Sequence, residues 1–329
     1  MKISWKLPLL LAVASALSGF ARAESCSNSS DMDQATRTAI TSAAMRYFDM
    51  ASKGDTASLR QNAIPALASD FSGIEGAVRD NLPNLAGVQA TARPPFLLKA
   101  EGTGPLERAE FLCGIFNKNG QTSNSAVFII PNLPPATYAI DALDVPGPKG
   151  NYTVTFVLQQ IGTDWKIGGF YARPSQIGGH DWKWFADQAR QYKAKGQTHN
   201  AWFYYEEARD LAVPVPFMST LDTDKLYDEM QASKPSDLSP PPDLVVGTKT
   251  YKLNAIFPTT VGNDLDLVVK YQSADISNTA QTFQDNLAVM KALLAKYPEY
   301  REAFSSVVAR AVAPNGQDYG TMMPMKDIK

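Results

Sequence analysis

Residues that commonly bind metals or nucleotides are scarce in this sequence. Its 329 residues include only two cysteines and two histidines, and His180 and His199 do not have the spacing of a zinc or copper site. A Gly-x-Ser-x-Gly elbow, a phosphate-binding loop and a dinucleotide fingerprint are also missing. The sequence therefore predicts no metal centre and no cofactor, and it gives no support to a hydrolase.

Runs of basic residues are missing as well. The chain has 31 lysines and arginines against 33 aspartates and glutamates, a formal net charge of -2, and its basic residues are scattered. A protein that neutralises a row of phosphates needs a patch or run of lysine and arginine. We therefore expect no nucleic-acid partner.

The N-terminal stretch has the pattern of a secretory signal peptide. Lys2 and Lys6 precede an apolar run at 7–20, and Ala21-Arg22-Ala23 is the small-x-small pattern at which signal peptidase cleaves. The run is shorter than the roughly 20 apolar residues that span a membrane, and a retained anchor is the alternative. Removal of 1–23 leaves 28 basic against 33 acidic residues, a charge of -5. We therefore predict a periplasmic or secreted protein with no integral membrane segment.

The two cysteines allow a single pairing. Cys26 and Cys113 both remain after removal of 1–23, and an exported protein meets an oxidising compartment. We therefore predict a disulfide between them, which would join the new N-terminus to a strand far along the chain. Two unpaired buried thiols are the alternative.

The periodicity of apolar residues predicts an α+β domain at 24–174. Apolar residues at steps of three and four indicate a helix at 33–52, and a second short helix follows at 56–68. Several strands come next, and alternation on both sides of a polar turn predicts a β-hairpin at 151–173. We expect these antiparallel strands to pack behind two or three helices.

Three short motifs accompany this order of elements. They are AMRYFDMASKGDTASL at 44–59, Ser-Asp-Phe at 69–71 and Trp-Lys-Ile at 165–167. With these motifs, residues 33–173 resemble the nuclear transport factor 2 superfamily. The resemblance implies a cone, in which a twisted sheet curls around the first helix. An unrelated α+β domain is the alternative.

The resemblance also implies a pocket between the sheet and the first helices. Enzymes of the family use inward-facing Tyr, Asp or His side chains there, and the candidates in this sequence are Tyr47, Asp49, Asp70 and Glu101, with Lys99 and Glu110 on neighbouring strands. Tyr47 could instead be a packed aromatic residue, and Asp70 could instead cap a turn. An isomerase would need such a carboxylate close to a substrate carbonyl.

Residues 175–233 predict a helical hairpin that is rich in aromatic residues. The intervals between Tyr192, Gly196, Ala201 and Tyr205 resemble a single tetratricopeptide repeat, with glycine at the turn. One repeat cannot bury both of its faces, so we expect it to pack on the neighbouring domains. The predicted interface residues are Trp182, Trp184, Trp202, Phe203 and Tyr204.

A proline-rich segment at 234–243, KPSDLSPPPD, predicts a semi-rigid linker. The remaining residues, 244–329, predict a small two-layer domain with the order ββαββ. Its predicted elements are strands at 250–257 and 265–271, a helix at 279–296, and strands at 303–313 and 319–325.

These features together predict an exported, non-catalytic binding or scaffold protein of the bacterial envelope. Its partner would be another protein or a small apolar ligand, and the cone is the expected place for a small-molecule pocket. The alternative is an isomerase or lyase acting in that pocket. In that case Asp49, Asp70 or Glu101 would line a closed apolar cavity.

Overall fold

The computed structural model describes residues 24–148 and 150–329. Within these residues the chain is a mixed α+β protein with several antiparallel sheets, none of which is closed. No helix in this part of the chain is long and apolar enough to cross a membrane. The predicted signal peptide at 1–23 lies outside the described residues.

The described chain starts with a short strand and four helices. These are β1 (Glu24–Ser27), α1 (Gln34–Ser52), α2 (Thr56–Gln61), α3 (Pro65–Ser69) and α4 (Ser72–Leu85). Asp33 caps α1 by accepting a hydrogen bond from the backbone N–H of Thr36, which confirms the predicted first helix. The predicted helix at 56–68 is divided in two, because Pro65 begins a new helix rather than continuing the previous one.

Seven further strands follow and belong to two sheets. They are β2 (Thr91–Ala92), β3 (Phe96–Ala100), β4 (Leu106–Asn117), β5 (Gly120–Leu133), β6 (Ala136–Gly147), β7 (Gly150–Ile161) and β8 (Asp164–Pro174). The first sheet has the order β1-β3-β6-β7-β8, with β2 paired to β6, and the second contains the β4–β5 hairpin. The predicted hairpin at 151–173 is confirmed as β7 and β8, which turn at Gly162 with a φ of 62°.

The first sheet has a different apolar layer on each face. One face packs on the helices, where Leu143 and Phe156 meet Tyr47. The other face packs on the second sheet, where Ile140 meets Phe111. The predicted disulfide is confirmed: it joins Cys26 on β1 to Cys113 on β4, with their Cα atoms 5.0 Å apart, and therefore links the two sheets covalently.

The predicted helical hairpin is confirmed, with Gly196 at a φ of 78° in its turn. It consists of α5 (Trp182–Ala194) and α6 (Thr198–Ala212), and two elements that we did not predict follow it: β9 (Met218–Thr220) and α7 (Leu221–Gln231). β9 pairs with β5. A strand from the predicted unit at 175–233 therefore completes a sheet of the unit at 24–174.

The C-terminal part forms a four-stranded sheet covered by a helix. Its elements are β10 (Leu244–Val246), β11 (Lys249–Tyr251), β12 (Leu253–Val261), β13 (Asp264–Gln272), α8 (Thr279–Lys296), α9 (Tyr300–Ala303), β14 (Ser306–Val312), β15 (Asp318–Pro324) and a 3₁₀ turn (Met325–Asp327). The sheet order is β12-β13-β14-β15, and α8 connects the parallel pair β13 and β14. α8 has the predicted bounds, whereas β14 starts later than predicted because α9 precedes it.

The helices α5 to α7 and the C-terminal sheet share one apolar core. Phe203 and Tyr204 of α6 lie in it together with Leu267 of β13 and Val307 of β14. The proline-rich segment at 234–243 therefore connects two parts of a single core, and Leu238 within this segment packs against the core.

Candidate functional site

The four pocket candidates from the sequence do not come together in the structure. Tyr47 is fully buried, and its hydroxyl donates a hydrogen bond to the backbone oxygen of Trp165 at 2.5 Å. Asp49 is exposed and pairs with Lys53 at 2.7 Å. Asp70 is exposed and accepts a hydrogen bond from the Ser72 hydroxyl, and Glu101 is exposed in the loop after β3.

The acid that does point into this interior is Asp141 on β6. It is 0% exposed and lies on the same face of the strand as Ala139 and Leu143, toward the helices. Neither carboxylate oxygen has a hydrogen-bond partner among the described residues. Burial raises the pKa of Asp141 to about 7, and the nearby Thr41 hydroxyl opposes this shift.

Sequence reasoning missed Asp141, although a signal was present. Several strands are predicted between the helices and the hairpin at 151–173, and in the run Ala139-x-Asp141-x-Leu143 the aspartate alternates in phase with apolar residues. A pKa near neutrality is typical of general bases. A catalytic group must nevertheless contact its substrate, and Asp141 has no exposed surface through which a substrate could do so.

An open groove of about 640 Å³ lies between the first sheet and the second sheet. We call it the N-terminal groove. One wall is the segment 28–31 that follows β1, and the other is the segment 123–126 of β5, while Phe96 and Met218 contribute apolar surface between them. The volume is within the usual range of small-molecule sites, which is about 300–1,000 Å³.

The first wall of the groove is a turn fixed by Asn28. Its side-chain oxygen accepts hydrogen bonds from the backbone N–H and the hydroxyl of Ser30, at 2.9 and 2.6 Å, and from the backbone N–H of Asp31 at 3.2 Å. Such a turn holds the backbone in one conformation. The disulfide at Cys26 anchors the preceding strand, β1, to β4, so this wall is fixed both by its turn and by the covalent link that precedes it.

The second wall depends on a β-bulge in β4. The register between β4 and β5 shifts between Gly114 and Phe116, and Gly114 has a φ of 86°. A Cβ atom at Gly114 would lie 2.0 Å from the backbone oxygen of Asn124, so only glycine fits there. The bulge leaves the Ile115 side chain 61% exposed at the rim of the groove.

The lining of the groove is almost free of charge. Among the described residues Asp31 is its one ionisable side chain, and hydroxyl and amide groups supply most of its other polar atoms. The lining therefore contains no acid–base pair and no nucleophile beside a base. Among residues 24–148 and 150–329, no group of three or more His, Cys, Asp and Glu side chains is arranged to hold a metal ion.

No family model, curated protein or solved structure matches this chain. The N-terminal groove and the buried side chains are therefore the features from which its function has to be inferred.

The predicted interface aromatics have different surroundings. The ring centre of Phe203 is 6.1 Å from that of Tyr300 and 6.0 Å from that of Phe304, and the Tyr204 hydroxyl donates to the backbone oxygen of Ala303 at 2.6 Å. Both thus join α6 to the C-terminal domain. The three tryptophans are only partly buried: Trp182 lies near Lys183, Trp184 stacks on His180, and Trp202 lies near Lys234 at the start of the proline-rich segment.

A cluster of polar side chains surrounds His199 at the start of α6. Asp237 of the proline-rich segment contacts one ring nitrogen of His199, and Glu299 contacts the other. The Tyr297 hydroxyl donates to Asp237 at 2.8 Å. No serine, threonine or cysteine hydrogen-bonds to His199 among the described residues, so the cluster has the composition of a structural clamp rather than of a nucleophilic triad.

Proposed function

We propose that this protein is an exported, non-catalytic binding protein of the bacterial envelope, and that the N-terminal groove is its ligand site. The observation that supports this proposal most is the lining of the groove, whose described residues offer hydrogen-bonding side chains and apolar surface but a single ionisable group, Asp31. Such a surface can hold a ligand, yet it has no pair of groups that could move a proton during a reaction.

The rest of the fold supports a rigid scaffold around the groove. The disulfide at Cys26 anchors one wall, and β9 pairs with β5 beside the other wall. The helices that follow β8 share their core with the C-terminal sheet. A preformed site lowers the entropic cost of binding, because fewer side chains and loops have to be ordered by the ligand.

Export is part of the same proposal. The disulfide is compatible with an oxidising compartment, and the residues that would direct export, 1–23, lie outside the described part of the chain. Periplasmic or secreted localisation therefore stays a prediction. N-terminal sequencing of the protein recovered from a periplasmic fraction tests it, and we expect the chain to start at Glu24.

The resemblance of 33–173 to the nuclear transport factor 2 superfamily also stays a proposal. It is supported by the packing of α1 across β6, β7 and β8. An isomerase or lyase in this cone is the second candidate, and the observation in its favour is the inward-facing Asp141 with a pKa of about 7. The binding function is the better supported of the two, because the groove is open whereas Asp141 is fully buried.

A blocked groove tests the binding function. Ile115→Arg puts a long charged side chain at the rim, and Ile161→Arg makes the same change at an isoleucine that is 42% exposed at the end of β7, outside the groove. We expect a protein-free periplasmic extract to raise the melting temperature of the wild type and of Ile161→Arg, but not of Ile115→Arg. Equal shifts in both variants, or no shift in the wild type, would argue against the groove as the ligand site.

A further inference from the structure

We infer that the N-terminal groove binds a short neutral oligosaccharide. This inference rests on the proposed function, since it names the class of ligand for the same groove. Three properties of the lining support it: the kind of polar groups, the apolar surface between them, and the scarcity of charge.

The polar groups of the lining match those of a sugar. Serine hydroxyls and asparagine amides both donate and accept hydrogen bonds, as sugar hydroxyls do. Ser123 and Asn124 are exposed on the second wall, and no hydrogen bond from either side chain occurs within the described residues. Their donors and acceptors are therefore free to meet a ligand.

The apolar part of the lining suits the C–H face of a sugar ring. Phe96 is half-buried. Its ring packs edge-on against the ring of Phe128, with 5.1 Å between the ring centroids and an interplanar angle of 66°. A ring fixed in this way loses little conformational freedom when a ligand covers it. Ile115 at the rim and Met218 beside Phe96 extend this apolar surface.

Charge argues against an acidic ligand. No lysine or arginine of the part of the chain that the structure describes lines the groove, and Asp31 would repel a phosphate, sulfate or carboxylate group. A single aspartate is compatible with a neutral ligand, because a carboxylate is a strong acceptor for hydroxyl groups.

An extended peptide is the alternative occupant, because β4 and β9 are the two edges of the second sheet and both line the groove, through Ile115 and Met218. Peptides that bind to sheets add a strand along such an edge. The exposed side chains of Ser123 and Asn124 favour a ligand with its own hydroxyl groups over one that is recognised through its backbone.

An array of neutral oligosaccharides, followed by calorimetry with the sugar that binds best, tests this inference. Asn124→Ala removes an amide from the second wall, and Asn119→Ala removes the same group from the tip of the same hairpin, outside the groove. We expect Asn124→Ala to weaken binding about threefold to tenfold, the effect of one neutral hydrogen bond. Asn119→Ala should bind as the wild type does.

The outcomes separate the ligand class from the binding function. If no neutral sugar binds, or if Asn119→Ala weakens binding as much as Asn124→Ala, the inference about sugars is wrong. If an uncharged peptide library binds instead and Ile115→Arg blocks it, the sugar is excluded while the groove stays the ligand site. If neither sugars nor peptides bind, and the extract shifts the melting of no variant, both proposals fail.

Discussion

The Nε2 atom of His199 lies 2.7 Å from Oδ1 of Asp237, and its Nδ1 atom lies 3.1 Å from Oε1 of Glu299. A neutral imidazole has a single N–H group, so only the protonated ring can donate hydrogen bonds to both carboxylates. The three residues come from α6, the proline-rich segment and the C-terminal domain. The cluster therefore fixes the segment that the sequence predicts to be a semi-rigid linker.

Replacement of His199 should loosen this clamp. His199→Ala removes the shared hydrogen-bond partner of Asp237 and Glu299, and we expect the free energy of unfolding to fall by about 1.5–3 kcal/mol, the range for hydrogen bonds to charged groups. His180→Ala is the matched control, because His180 is exposed and forms no ion pair among the described residues. Urea unfolding measures both variants. A similar, small loss in each would show that the clamp contributes little.

Limited proteolysis gives a second measure of the clamp. Cleavage within 234–243 should be faster in His199→Ala than in the wild type, because Asp237 would be held by Tyr297 alone. The pKa of Asp237 also predicts a dependence of stability on pH. Burial opposes the charged form of Asp237, but hydrogen bonds from Tyr297 and His199 outweigh it and lower the pKa of this carboxyl. Because the pKa is lower in the folded protein than the unfolded value of 3.8, the ionised carboxyl stabilises the fold above that pH, and this stabilisation should be lost as the pH falls below it.

Asp141 should make stability depend on pH in the opposite sense. Its pKa is about 7 in the folded protein and 3.8 without burial, so the folded state loses stability as the pH rises from about 4 to 7. Asp141→Asn removes the ionisation. We expect it to stabilise the protein at pH 8 by up to about 4 kcal/mol, since each pKa unit corresponds to about 1.4 kcal/mol, and to have little effect at pH 4.

Urea unfolding of Asp141→Asn at the two pH values measures this difference. Asp164→Asn is the control, because it makes the same substitution at an aspartate that is exposed at the start of β8. An equal gain at pH 4 and pH 8 would mean that the asparagine improves packing and that the ionisation of Asp141 is unimportant.

Local periodicity explains why parts of the fold could be predicted. The α8 helix has apolar residues at helical intervals over its whole length, and its bounds were predicted from these intervals. The β7–β8 hairpin has a glycine at its turn and alternation on both sides. By contrast, β9 has only three residues and exists because β5 offers an edge to pair with, which no local pattern reveals.

The groove could not be predicted for the same reason. It combines residues 28–31, 123–126 and Met218, which are far apart in the sequence, and it depends on the bulge at Gly114. The pocket candidates from the family resemblance were chosen by residue type. Asp49 lies on the exposed side of α1, and Asp70 is an exposed residue that follows the end of α3.

The junction between α6 and the C-terminal domain should depend on Phe203 more than on Trp202. Phe203 is 1% exposed and lies among Tyr300 and Phe304, whereas Trp202 is partly exposed near Lys234. We expect Phe203→Ala to cost about 3–5 kcal/mol of stability, as is typical of a buried phenylalanine, and Trp202→Ala to cost less. Thermal unfolding compares the two. A larger loss of stability from Trp202→Ala would show that the main contact of α6 is the one between Trp202 and the proline-rich segment.

The shape of the groove depends most directly on Gly114. Two glycine-to-alanine substitutions separate the effect of its positive φ from the effect of its close contact with Asn124. Gly114→Ala meets two obstacles, a positive φ of 86° and a Cβ position 2.0 Å from the backbone oxygen of Asn124. Gly120→Ala, in the same hairpin, meets only a positive φ of 99°, since nothing lies within 4 Å of its Cβ position. The strained backbone alone costs about 1–3 kcal/mol, so we expect Gly120→Ala to lose stability within this range and Gly114→Ala to lose more.

Hydrogen exchange gives a second measure of the close contact at Gly114. Exchange should become faster at 122–126 in Gly114→Ala alone, because the clash has to push this wall of the groove outward. Equal losses of stability and unchanged exchange would show that the bulge can shift without moving the wall.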